Sequence, residues 1–153
     1  MLREKIMFID ELTPEEGITI TGFGKPEAIY KKIPEILSKV LQISKRDVLE
    51  KKHERDENKI KANWEIVKFL DEYSYYHFEF SFQGTKNGNI KIHFTAKLKT
   101  ELLREYLWQK SVLYEFFRTL WYEYIYTRKR KKYLEEGYEI VDYIVSHIKS
   151  LLR

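Results

Sequence analysis

His77, Glu79 and His93 are the residues whose types and spacing offer chemistry. His77 and Glu79 are two apart in an alternating run, which places them on one face of a strand, and His93 lies in the next alternating run. A hairpin that pairs Gly84 with Gly88 across a three-residue loop sets Glu79 opposite His93 and His77 opposite Thr95. Two imidazoles and a carboxylate so arranged would bind a metal ion or exchange protons. Alternating polar residues are equally what a half-exposed sheet requires, and that plainer reading carries more weight. No catalytic residue, metal ligand or cofactor is therefore assigned, and the balance leans away from an enzyme. The sequence holds no phosphate-cradling glycine loop, dinucleotide fingerprint, HExxH or EF-hand pattern.

Charge and aromatic residues supply two further candidates. Arg128, Lys129, Arg130, Lys131 and Lys132 form the one concentrated basic run, beside Tyr124, Tyr126 and Tyr133. Such a run suits the phosphates of nucleic acid, or an anionic membrane surface. It equally suits the end of one helix, with Glu135, Glu136 and Glu139 as partners in the next. Aromatic residues make up 16% of the chain, and eight of its twelve tyrosines lie in residues 106–143. Ring faces for contact and hydroxyls for orientation are what a pocket for an amphipathic ligand needs, although core packing uses the same residues.

The elements that must position these groups follow from period and punctuation. With 153 residues, 43% hydrophobic and 34% charged, the chain has the length and composition of one ordered domain over residues 1–153. The absence of cysteine rules out disulfides, thiolate metal sites and cysteine nucleophiles. The first residues lack the apolar core of a secretory signal and no run is long enough to span a membrane, so a cytoplasmic protein is expected. Few glycines and prolines with abundant Lys, Glu and Ile resemble heat-adapted composition.

Residues 2–12 fit a strand or a helix, and residues 13–17 read as a turn. A short strand follows from Ile18, and a helix begins at Pro26 with Ile29, Ile33, Ile36, Leu37 and Val40 as its stripe. Pro34 is expected to break or kink that segment into two short helices. Residues 46–55 read as a charged edge strand. Three strands then alternate strictly, carrying Ile60 to Ile66, Tyr76 to Phe82, and Ile90 to Leu98 on their apolar faces. The hairpin joining the last two is settled by parity. A two-residue Asn87-Gly88 turn would bury lysines, whereas a three-residue loop or a bulge joins the apolar faces. From about residue 100 the period becomes helical, with Leu113, Phe116, Phe117, Leu120, Trp121 and Tyr124 on one stripe. Tyr114, Arg118, Tyr122 and Ile125 form a second stripe that a neighbouring helix or a homodimer partner would cover. A last helix carries Leu134, Tyr138, Val141, Ile144, Val145, Ile148 and Leu152.

The order strand, broken helix pair, antiparallel strands and terminal helix resembles the helix-grip fold of the START and Bet v 1-like superfamily, which includes the polyketide cyclase-like proteins. Residues 47–66, DVLEKKHERDENKIKANWEI, are similar to that superfamily's first meander strands. The resemblance implies an α+β fold in which an antiparallel sheet of five or more strands wraps C-terminal helices around an apolar pocket. A plain β-α-β4-α-α sandwich fits the same pattern. On the helix-grip reading the protein is a non-enzymatic binder of a small apolar or amphipathic ligand. Tyr76, Phe78, Phe80, Phe94, Phe117 and Trp121 would line its pocket, with nucleic-acid association through residues 128–132 as the alternative. The resemblance transfers no catalytic residue.

Overall fold

The computed structural model describes residues 2–106 and 126–153. The stripes of Leu113 to Tyr124 and Tyr114 to Ile125, and with them Phe117 and Trp121, lie outside the described residues. The fold is α+β: an antiparallel sheet of six strands, an early helix and a C-terminal helix.

The ambiguous first residues form a strand, β1 (Leu2–Glu11), and β2 spans Ile18–Phe23. Both pair with the same long partner, so they are one edge strand interrupted by a looped segment. The pairing passes from Glu11 opposite Lys97 to Ile18 opposite Phe94. The intervening residues loop out, closed by a bond from the Gly17 N–H to the Pro14 carbonyl, while Leu12 N–H still reaches the Ala96 carbonyl. Gly17 has φ +84°, a backbone conformation costly for any residue with a Cβ.

Helix α1 spans Pro26–Leu41 with Pro26 in its first turn, as its missing N–H allows. Pro34 does not divide it, contrary to the expectation of two short helices. The proline removes one bond to the preceding turn. Ile29, Ile33, Leu37 and Leu41, however, are buried on the sheet from both sides of that point, and this packing holds the axis continuous.

Strand β3 (Val48–Arg55) is the charged edge expected. Every residue after Val48 is exposed, and a register shift between Glu50 and Lys52 marks a bulge, both of which discourage pairing with a further strand. Asp56 then accepts the backbone N–H groups of Asn58 and Lys59 at 2.7 and 2.9 Å, turning the chain into β4 (Lys59–Phe69). Asp71 does the same for Tyr73 and Ser74, both at 2.8 Å, ahead of β5 (Ser74–Thr85). Strand β6 spans Asn89–Tyr106, so pairing with β1 carries the strand beyond residue 100, contrary to the helical period expected from there. The order across the sheet is β1-β6-β5-β4-β3, with β2 also on β6.

The β5–β6 hairpin has the expected parity and a different register. Thr85 and Asn89 close a loop of Lys86, Asn87 and Gly88, and Gly84 faces Ile90 rather than Gly88. Gly88, at φ +90°, takes the left-handed position that such loops require. The shift by two residues keeps Phe80 and Phe94 on one face but moves each polar partner one place along. Glu79 faces Thr95, His77 faces Lys97, and His93 faces Ser81.

Helix α2 (Thr127–Leu151) lies on the same side of the sheet as α1 and buries Gly137, Val141, Ile144 and Ile148. Tyr138, expected in this stripe, is instead 46% exposed. Gly137 takes the inward position because a Cβ there would stand 2.7 Å from the Leu12 side chain. The chain end is tied back to the sheet by reciprocal bonds between Arg153 and Phe23. The core is the inner face: Trp64, Ile66, Tyr76, Phe78, Phe80, Phe82, Ile92, Phe94, Ala96 and Leu98 are each at most 3% exposed. Each large apolar side chain so buried contributes about 1.5–3 kcal/mol.

Candidate functional site

Both described helices lie on the inner side of the sheet, and the alternate residues of the same strands form an outer face that no helix covers among the described residues. Cross-strand pairing arranges them in rows. One row runs Thr19, His93, Ser81, Asn63, and the next runs Thr95, Glu79, Glu65, Leu49. A third holds Glu11, Lys97, His77 and Val67, and a fourth Ile9, Lys99, Tyr75 and Phe69. Between β3, β4, β5 and β6 lies a cleft of about 400 Å³, bordered by Lys51, Asn63, Glu65, Glu79, Ser81, His93 and Thr95.

Of the three residues singled out in sequence, the structure keeps His77 and Glu79 together and separates His93 from them by register. His77 Nε2 stands 3.6 Å from Glu79 Oε1 and 3.7 Å from Glu65 Oε1. Glu65 is the residue that sequence reading missed. No signal along the chain marked it, because the β4–β5 register, closed by the turn at Asp71, is what places Glu65 directly opposite Glu79. Burial lowers the His77 imidazole below its usual value, Lys99 and Lys97 push the same way, and Glu79 and Glu65 oppose them. His93 belongs to another contact: its Nδ1 lies 2.8 Å from the Thr19 hydroxyl, under the loop that ends at Gly17.

The outer face is amphipathic along its length. Beyond His77 it carries Met7, Ile9 and Phe69, which are 40%, 50% and 75% exposed. The Phe69 and Tyr75 rings lie 5.6 Å apart there, and the Tyr75 hydroxyl donates to Glu101 at 2.9 Å.

The inner face has a different character. Tyr76, Phe78, Phe80 and Phe94, expected to line a pocket, lie side by side there and are at most 2% exposed. Phe80 stacks on Phe94 with centroids 4.9 Å apart, and Phe78 stacks on Phe80 at 6.2 Å. At one end of this layer a polar knot forms around Asp71, whose carboxylate accepts the hydroxyls of Tyr133 and Tyr126 at 2.9 and 3.2 Å. Ser74 bonds both Thr100 and Tyr126 within it, and Tyr76 donates to the Tyr133 carbonyl. Burial alone would raise the Asp71 carboxyl, but the donors Tyr73, Tyr133, Ser74 and Tyr126 together hold it below its usual value. Burial and the Asp71 bond push the Tyr133 hydroxyl up to about 12. At the opposite edge, α1 is pinned to β3 by Tyr30, which bonds Glu50 at 2.6 Å and His53 at 2.9 Å.

The basic run opens α2. Arg128, Lys129, Lys131 and Lys132 are exposed, whereas Arg130 grips Asp10 through two bonds of 2.6 and 2.8 Å and lies over the Phe8 ring. One of the five cations thus ties the helix to β1. Among the described residues no helix is long and apolar enough to cross a membrane.

No protein-family model and no curated protein matches the chain. Among solved structures, a Staphylococcus aureus protein of unknown function is similar at 16% identity and a TM-score of 0.28, over 97% of this chain and 96% of that one.

Proposed function

We propose that the protein binds a small amphipathic molecule, and that the open outer face of its sheet is the binding surface. The observation that carries this reading is the order of residues along that face. A cleft of about 400 Å³ bordered by Asn63, Ser81, His93 and Thr95 is followed along the same face by a row of Lys97, His77 and half-buried Val67, and then by exposed Ile9 and Phe69 and half-buried Tyr75. Hydroxyls, an amide and an imidazole supply directional contacts to a polar head, and the apolar patch removes the remainder of the molecule from water. The strand order, with the first described strand beside the last and a long C-terminal helix across the sheet, supports the helix-grip resemblance for the fold, whose implied pocket would lie on the inner face. The rings of Tyr76, Phe78, Phe80 and Phe94 support a packing role on the other face, since each is already in contact with its neighbours.

The test is native mass spectrometry of the purified chain after incubation with an extracted lipid and metabolite pool, repeated with Ser81→Trp and Phe69→Asp. A bound species retained by the wild type and lost from both variants is the expected result. Its retention in both variants, or its absence from the wild type, overturns the reading.

A further inference from the structure

We propose that Glu65, His77 and Glu79 form a binding site for one divalent transition-metal ion of the zinc class. The backbone supplies the arrangement. Alternation along β5 puts His77 and Glu79 on the outer face, and the β4–β5 register sets Glu65 directly opposite Glu79. One ligand atom from each residue lies within 4.8 Å of the other two. The imidazole nitrogen stands 3.6 and 3.7 Å from the two carboxylate oxygens. An ion bound tetrahedrally at about 2.0–2.2 Å holds its ligands roughly 3.4 Å apart, so small side-chain rotations complete the cage.

Charge points the same way. Two carboxylates directly opposite each other on neighbouring strands repel. Among the described residues, His77 is the ion-pair partner that lies within 4 Å of either one. Its single Nε2 sits between two acceptors and has at most one proton to donate, so one carboxylate is left without it. A divalent cation in the same position engages all three groups at once. Lys97 and Lys99 stand close enough to act on His77 electrostatically and compete with that cation, which favours an ion held by directional nitrogen and oxygen bonds over a hard, purely electrostatic one. Three protein ligands leave a coordination position open, and Glu65 and Glu79 also border the cleft. The site does not depend on which molecule the cleft accepts.

Isothermal titration of the chelator-stripped full chain with zinc chloride, and visible absorption of the cobalt-loaded chain, test the assignment. One equivalent should bind, cobalt should show the absorption of a low-symmetry nitrogen and oxygen site, and zinc should raise the unfolding temperature. His77→Phe and Glu79→Gln should each weaken binding more than about tenfold. Glu65→Gln/Glu79→Gln relieves the carboxylate repulsion, so its metal-free form should unfold no earlier than the wild type while its response to zinc disappears. No binding by the wild type at zinc concentrations of about 100 µM, or binding unchanged in His77→Phe, overturns the proposal. The ligand pool experiment, run with chelator present, fails or succeeds separately.

Discussion

The two faces of the sheet are built from the same strands and consist of alternate residues, yet they do opposite work. Phe78, Phe80 and Phe94 lie inside at no more than 2% exposure, while His77, Glu79 and His93, each one position away, face outward, the last two bordering a cleft. Close packing on one face leaves no group free to change partner. Partial desolvation on the other brings unlike groups within a few ångströms and leaves two carboxylates facing each other. The inner face fixes the strands in register, and that register sets the spacing of the outer groups.

Four substitutions sharpen this contrast. The largest effect is expected from Phe94→Ala, which removes a ring stacked at 4.9 Å on Phe80 in a fully buried layer. A loss of about 3–5 kcal/mol in denaturant unfolding is expected, against less than about 1 kcal/mol for His93→Ala, the adjacent outer residue. Comparable losses for both would mean that the outer face is packed as tightly as the inner one.

Gly17→Ala probes the loop where the edge strand meets the outer face. Its Cβ would lie 2.6 Å from His93 Nε2 and 2.8 Å from the Phe94 carbonyl, at a φ of +84°. About 1–3 kcal/mol should be lost. The His93 ring resonances should also shift in NMR spectra, because the imidazole must yield. Unchanged spectra would show that the loop does not hold His93.

A smaller effect than that of Phe94→Ala is expected where the inner layer turns polar. Asp71→Asn keeps one acceptor oxygen but loses the charge that receives the Tyr126 and Tyr133 hydroxyls, at a cost of about 1–2 kcal/mol at neutral pH. Because the folded carboxyl is held below its usual value, its contribution is present above the unfolded value of about 3.9 and fades as pH falls through the folded one. Wild type and variant should therefore converge below about pH 4 in pH-dependent unfolding. A constant difference across that range would remove the charge from the explanation.

Much of the fold was legible along the chain because it rests on local chemistry. Period two marked β4, β5 and β6, Asp56 marked the turn before β4, Pro26 the start of α1, and the charges of residues 49–55 marked an edge. Parity also showed which residues share a face, since one wrong step in the β5–β6 hairpin would have buried lysines. Three matters needed the tertiary structure. Pro34 stays inside a single helix because side chains on either side of it are anchored to the sheet. The β5–β6 register differs by two residues from the expected one, a shift that preserves the face of every side chain and is therefore invisible to alternation. Glu65 joins His77 and Glu79 through that same kind of long-range pairing, between β4 and β5. Period and turn chemistry belong to neighbouring residues and are written in the sequence, whereas register and helix continuity depend on contacts between distant ones. The composition of each face was thus set by the sequence, and the partners within it were chosen by packing.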